Sequence, residues 1–151
     1  MPMRVGTPLP SFDGATEWIN GEPDLEALKG NVTLVHFWSV SCHICHDNMP
    51  TVRKWRDEYG PQGLRLVAIH MPRQESDTDV ARVKQYVAEN DITEPCGIDN
   101  EHMLADRFEN QHRFVPHYYL FDREGNLRSR AAGDAGLGML EAALKRQFEQ
   151  G

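Results

Sequence analysis

Two cysteines, Cys42 and Cys45, stand three residues apart in the string Cys-His-Ile-Cys, a spacing that permits reversible oxidation to a disulfide. The apolar run at residues 32–38 predicts a buried strand before them, and apolar residues at helical spacing over 43–59 predict a helix after them. The pair would therefore lie at a helix N-terminus, where unpaired amides and the helix dipole stabilise a thiolate. We expect Cys42, nearer the helix mouth and solvent, to attack a partner disulfide, and Cys45 to resolve the mixed disulfide.

The rest of the chain predicts the elements that must position this pair. A second apolar run at 64–70 completes a strand–helix–strand unit, which typically forms neighbouring parallel strands. A helix, a short strand and a short helix are expected over 76–110, then two strands around a turn at 122–126 and a helix over 137–148. We therefore predict an α/β fold with a mixed central sheet, helices on both faces and an α–β–α insert.

Length and composition favour one domain over residues 1–151, with an N-terminal extension at 1–31 and the insert at 76–110. The net charge of −7 argues against a nucleic acid as the partner, because no excess of basic residues is present to neutralise phosphates. No apolar run approaches the ~20 residues of a membrane-spanning helix, and no signal-peptide core is visible. Three cysteines are too few, and the wrong parity, for a disulfide framework. We expect a cytoplasmic monomer that binds no membrane.

Several motifs resemble the thioredoxin-like family. They are Phe37-Trp38, the Cys-His-Ile-Cys dithiol, Pro50, Val115-Pro116, which resembles the family's cis-proline loop, and an Asp-x-x-Gly turn at 122–125. The insert resembles the branch that contains the TlpA and ResA thiol-disulfide oxidoreductases. Within that branch the chain resembles the soluble bacillar YkuV type, with which it shares the strings His-Phe-Trp-Ser, Ser-Cys-His and His-Met-Pro-Arg.

The resemblance implies a thioredoxin-like fold and a thiol-disulfide oxidoreductase that needs no cofactor beyond its Cys42–Cys45 disulfide. Its expected partners are protein disulfides or dithiols, together with an electron donor like that of the thioredoxin system, and a cytoplasmic location favours the direction of a reductant. A cis Val115–Pro116 bond is implied, which would leave the backbone of Val115 free to pair with an extended substrate segment. The resemblance also implies that Trp38 shields the dithiol from solvent.

Two positions depart from the family pattern. His36 stands where thioredoxins place a buried aspartate, and Asn48 stands where ResA-like members place a glutamate. Both acids help proton transfer in the family, so the usual proton shuttle is missing or replaced. His36 is a candidate for that role, and a strand histidine satisfied by a neighbour is the alternative. For His43, a protonated ring beside Cys42 would favour the thiolate, whereas a solvent-directed ring would have a negligible effect.

Other interpretations share these residues. The string that ends at His46 matches the Cys-x-x-Cys-His attachment sequence of c-type haem, but a motif that follows a buried strand does not suit a helical haem pocket. Zinc is a second alternative, since His36, His43 and His46 lie near the dithiol, yet no second ligand pair stands at regular spacing. We therefore predict no metal.

The remaining alternatives concern the cysteines themselves. A thiol peroxidase-like enzyme would use Cys42 alone, and Ser39 fits that pattern, but Val35 stands where a proline is expected. A redox-sensing or adaptor module with the same fold is the non-enzymatic alternative. The third cysteine, Cys96, lies between a proline and a glycine on a short predicted strand, and we expect it to be a buried hydrophobe without a redox role.

Overall fold

A six-stranded mixed sheet runs through the computed structural model, which describes residues 2–110 and 112–149. The strands are β1 Glu17–Ile19, β2 Thr33–Trp38, β3 Arg65–His70, β4 Cys96–Ile98, β5 His117–Phe121 and β6 Leu127–Ala132. The helices are α1 Leu25–Leu28, α2 His43–Tyr59, α3 Val80–Glu89, α4 Met103–Arg107 and α5 Leu137–Glu149. Two 3-10 turns, Gly60–Gln62 and Glu75–Thr78, follow α2 and precede α3.

The strand order across the sheet is β1-β4-β3-β2-β5-β6. The strands β2, β3 and β4 run parallel to one another, while β1, β5 and β6 pair antiparallel with their neighbours. The predicted strand–helix–strand unit is therefore present as β2-α2-β3, and the predicted mixed sheet is confirmed. The dithiol follows β2, one of the two central strands of the sheet.

Alternating side chains on β2 build two apolar layers. Val35 and Phe37 pack against α4 and the N-terminal segment on one face. Leu34 and Trp38 point to the other face, where α2, α3 and α5 cover the sheet. Helices thus cover both faces, as predicted, and every residue of β2 is buried. In the described part of the chain, none of the helices has the length and apolarity required to span a bilayer.

The N-terminal extension contributes more structure than the sequence predicts. Its β1 pairs antiparallel with β4 and forms one edge of the sheet, and Trp18 lies opposite Gly97 in that pairing. The short helix α1 buries Leu28 against the core. The first helix predicted for the segment 76–110 begins later than expected, at Val80, because Asp79 caps it by accepting from two of its amides and residues 75–78 form the 3-10 turn.

Gly97 lets the Trp18 ring lie against β4, because a Cβ at this position would stand 2.8 Å from the ring. We expect Gly97→Ala to lower the free energy of unfolding by about 1–3 kcal/mol, since the ring must move out of its packed position. The matched control is Gly138→Ala in α5, where no atom lies within 4 Å of the added methyl group. That change should leave stability equal or up to about 1 kcal/mol higher. Urea unfolding of both variants measures the difference, and equal stabilities would contradict the packing argument.

Candidate active site

The dithiol lies at the junction between β2 and α2. Cys42 is the N-cap of α2, with extended backbone angles, and its amide donates to the Ser39 carbonyl. Cys42 and Cys45 are joined in a disulfide across a Cα–Cα distance of 5.2 Å. The Cys45 amide donates to the Cys42 sulfur at 3.0 Å, so the sulfur takes the place of the usual capping oxygen. The predicted position of the pair at a helix N-terminus is therefore observed.

Burial alone does not separate the two cysteines, because Cys42 is 4% exposed and Cys45 is 2% exposed in this oxidised form. The expectation that Cys42 is the more open to solvent is met only marginally. The sulfur of Cys42 is set apart by the amide that faces it at the helix mouth. Cys45 lies within the first turn of α2 and packs among apolar side chains.

An apolar cluster surrounds the disulfide. Trp38 belongs to it and packs edge-on to His70 at 4.9 Å and across Tyr86 at 5.0 Å between ring centroids. Val115, from the loop before β5, packs against the same cluster. Of the predicted support residues, Trp38 therefore lies in the cluster that holds the dithiol and Val115 packs against it. Cys96 also lies in this cluster, where burial raises the pKa of its thiol to about 12, in keeping with the inert role expected for it.

The loop that carries Val115 is fixed on both sides. The Val115–Pro116 peptide bond is cis, and the Pro116 carbonyl accepts from the Gly133 amide at 2.9 Å. On the other side, the Asn110 side chain binds Phe114 twice, accepting from its amide at 3.1 Å and donating to its carbonyl at 2.9 Å. Sequence reasoning missed Asn110, since nothing in the local pattern marks an asparagine as a loop anchor.

A buried carboxylate stands beside His36. The Nε2 atom of His36 donates to Glu94 at 2.8 Å, and both side chains are nearly excluded from solvent. Burial would raise the pKa of Glu94, but the hydrogen bond from His36 leads the interactions that outweigh it and hold that pKa below its usual range. The His36 ring also stacks on Tyr118 with centroids 6.4 Å apart. The position that lacks the family's acid is thus paired with an acid from the segment before β4, which the sequence did not reveal.

The three histidines that the sequence places near the dithiol take separate partners. His36 binds Glu94, His46 binds the Tyr86 hydroxyl at 2.7 Å, and His43 lies 3.2 Å from a carboxylate oxygen of Asp47. The side chain of His43 is 85% exposed, which favours the solvent-directed alternative stated above. Within residues 2–110 and 112–149, no three histidine, cysteine or acidic side chains are grouped so that they could hold a metal ion.

Comparison with known proteins gives a consistent result. Residues 5–130 match the AhpC/TSA family. The thiol-disulfide oxidoreductase YkuV of Bacillus subtilis is 47% identical over 145 residues, which cover 95% of this chain and 96% of that protein. The thiol-disulfide oxidoreductase ResA of Halalkalibacterium halodurans is 26% identical over 70% of this chain and 56% of its own. The solution structure of a thioredoxin-like protein in its oxidised form superposes with a TM-score of 0.87 at 45% identity, covering 98% of this chain and 99% of that one.

His70 makes the stability of the fold sensitive to acid. Its Nε2 accepts from the Val40 amide at 3.1 Å, which requires a neutral ring, and burial lowers the pKa of His70 from 6.5 to about 4. Between these values the unfolded chain binds a proton that the folded chain excludes, so the free energy of unfolding should fall as the pH drops from 6.5 to 4. The loss for this one group is at most about 3 kcal/mol.

Urea unfolding at pH 7 and pH 4.5 measures this slope in the wild type and in His70→Gln, whose amide oxygen still accepts but does not titrate. The variant should lose less stability on acidification than the wild type. His117, whose pKa burial and Arg130 also lower to about 4, is present in both proteins and cancels in the comparison. Identical slopes would show that His70 does not titrate as described.

Proposed function

The chain belongs to the AhpC/TSA family, has the thioredoxin-like fold and is a thiol-disulfide oxidoreductase, and from that premise we propose that it reduces protein disulfides with Cys42 as attacking thiolate and Cys45 as resolving thiol. The observation that carries the assignment is the hydrogen bond from the Cys45 amide to the Cys42 sulfur at the N-terminus of α2. That amide and the helix dipole favour negative charge on Cys42 rather than on Cys45.

The proposed cycle begins with the reduced protein. The Cys42 thiolate attacks one sulfur of a substrate disulfide, the substrate's sulfur–sulfur bond breaks, and one substrate thiolate leaves and takes up a proton. Cys45 then loses its proton and attacks Cys42, which releases the second substrate thiolate and forms the Cys42–Cys45 disulfide. The substrate has gained two electrons, and a dithiol donor of the thioredoxin-system type restores the protein. In the cytoplasm, where reducing systems keep thiols reduced, this direction is favoured.

Substrate docking is proposed at the loop before β5. Val115 packs against the dithiol cluster, and Phe114 beside it is an exposed apolar side chain. Ile44, between the two cysteines, is exposed as well. An extended segment that pairs with the backbone of Val115, with Pro116 closing one side, would hold its disulfide over Cys42 without reading particular side chains. Trp38 supports the site as a member of the apolar cluster that holds the disulfide.

Proton transfer is proposed for the His36–Glu94 pair. Cys45 must lose a proton before it can resolve the mixed disulfide, and it is buried among apolar groups that disfavour its charged form. His36 lies on the sheet face that α2 covers, and its partner in the parallel pairing, Ala68, belongs to the cluster that holds Cys45. A pair with an ionised Glu94 can accept that proton and release it to solvent, as the acids of related proteins do.

The peroxidase-like alternative lacks support from the site. Ser39, which fits the pattern of such enzymes, donates its hydroxyl to Asp77 at 2.8 Å. Val35, at the position where a proline is expected, is a buried strand residue in the core. We therefore propose the reduction of protein disulfides rather than of peroxides. Measurement of substrate turnover distinguishes this enzyme from a non-enzymatic adaptor.

The first test traps the intermediate. Reduced Cys45→Ser should accumulate a mixed disulfide with a protein disulfide such as insulin, because Cys42 can attack but nothing resolves the product. Cys42→Ser should form none and should lose insulin turnover to the background rate. Mass spectrometry of the trapped species and a turbidity assay measure both results. A mixed disulfide in Cys42→Ser but not in Cys45→Ser would reverse the assignment, and a wild type without turnover would favour the adaptor.

The second test isolates the proton step. Glu94→Gln should slow resolution by Cys45 by about 100-fold near pH 7, the lower end of general-base contributions, while leaving the first attack by Cys42 unchanged. The loss should shrink as the pH rises and Cys45 ionises without help. Rapid-quench measurement of the two steps, with the exposed Glu101→Gln as control, gives the comparison. Equal slowing of both steps would assign Glu94 a purely structural role.

A further inference from the structure

A second buried carboxylate binds the loop that presents Cys42. Residues 39–41 connect β2 to the nucleophile, and both serine hydroxyls of this loop donate to the same oxygen of Asp77, Ser39 at 2.8 Å and Ser41 at 2.7 Å. The Arg73 amide donates to that oxygen as well, at 3.0 Å. Asp77 lies in the 3-10 turn before α3 and is fully buried. Three donors thus converge on Oδ2, and two of them belong to the approach to Cys42.

The other oxygen of Asp77 is differently placed. Among the described residues, Oδ1 makes no hydrogen bond, and Arg82 of α3 approaches it at 3.8 Å with a side chain that is 46% exposed. Burial would raise the pKa of Asp77, but the hydrogen bonds from Ser41, Arg73 and Ser39 hold it below its usual range, so the carboxylate is ionised at neutral pH. The negative charge is therefore only partly balanced.

His70 and Arg73 also lie near this carboxylate. His70, on β3, is buried and neutral at pH 7 because its pKa is lowered to about 4. The Arg73 guanidinium reaches the carbonyl of Ser41 at 3.3 Å, on the exposed side of the same loop. Arg82 is thus the cation nearest the free oxygen of Asp77, and Cys42 follows Ser41 directly in the chain.

We propose that Asp77 is a positioning residue for the dithiol: its Oδ2 atom clamps the loop at Ser39 and Ser41, and its negative charge disfavours a thiolate at Cys42 and so makes the protein a stronger reductant. The charge acts against the helix N-terminus, which favours the thiolate. The proposal rests on the proposed function in one respect, namely that Cys42 is the attacking thiolate.

The sign of the effect follows from the exchange with glutathione. Two glutathione thiols reduce the Cys42–Cys45 disulfide to two cysteine thiols, and one glutathione disulfide forms. A nearby negative charge destabilises the reduced protein whenever Cys42 is a thiolate, but has little effect on the uncharged disulfide. The equilibrium therefore shifts toward the protein disulfide, which is the property of a stronger reductant. Removal of the charge should shift it back.

The convergence on one oxygen allows clamp and charge to be tested separately. In Asp77→Asn the amide oxygen can take the three hydrogen bonds at Oδ2 while the NH₂ group replaces Oδ1, so the clamp is kept and the charge is lost. We expect the glutathione equilibrium to move toward the dithiol by roughly tenfold, together with a fall of about one unit in the Cys42 thiol pKa. Arg82→Gln removes the counter-charge and should shift both quantities in the opposite direction.

Asp77→Ala removes the clamp as well. It should repeat the shift in the glutathione equilibrium and, in addition, lower the pH-independent rate of attack by Cys42 on a small aromatic disulfide below the rate of Asp77→Asn, because the loop loses its anchor. Ser41→Ala deletes one of the three donors but keeps the charge, so it tests the clamp even if Asp77→Ala fails to fold. Glu75→Gln, an exposed charge in the same turn, is the matched control and should leave all of these quantities unchanged.

The outcomes are distinct. If the glutathione equilibrium and the Cys42 thiol pKa are the same in Asp77→Asn as in the control Glu75→Gln, the proposed effect of the Asp77 charge is wrong. If Ser41→Ala attacks at the wild-type rate and Asp77→Ala attacks at the rate of Asp77→Asn, the clamp is wrong. Failure of the proposed function would show instead as the absence of insulin turnover or of the trapped Cys42 species in a protein with an intact Asp77. The glutathione equilibrium is measurable in either case.

Discussion

The hydrogen bond from the Cys45 amide to the Cys42 sulfur joins the chemistry of the dithiol to the fold that holds it. It forms only because a fully buried strand ends at Trp38 and a helix begins at His43, which leaves a short loop between them. A parallel neighbour, β3, an antiparallel neighbour, β5, and two apolar layers fix that strand, so the N-terminus of the helix is held in place against it. The reactivity of one sulfur therefore depends on the packing of the central sheet.

The insert supplies charge to a site that the rest of the fold lines with apolar side chains. Asp77 binds the loop before Cys42, and Glu94 binds His36 on the sheet face beneath α2. Both carboxylates are buried and ionised, which requires the donors that surround them. The α–β–α segment thus does more than enlarge the domain, because it supplies the buried carboxylates that bind the loop before Cys42 and the His36 side chain.

The local sequence pattern was enough to predict the elements whose buried residues recur at the spacing of a strand or a helix. The strand before Cys42, the long helix after it and the strand at 65–70 were predictable because burial imposes a period on their sequences. The strand β1 was not, since three residues acquire their structure only by pairing with β4, about 80 positions later. The roles of Glu94 and Asp77 could not be predicted for the same reason, because their hydrogen-bond partners stand 58 and 36–38 residues away in the chain. The sequence showed that an acid was missing at position 36, but not which segment would supply one.

The pairing of β1 with β4 has a consequence for association between molecules. Without β1, the parallel strand β4 would present a row of unpaired backbone groups, the kind of edge along which sheets of separate molecules join and aggregate. The strand that covers it has only three residues, and its Glu17 forms an ion pair with Lys84 of α3 at 2.6 Å. A short, charged edge is a poor template for further strands. A protein proposed to recognise others by backbone pairing at Val115 gains from closing the edge at which such pairing would be indiscriminate.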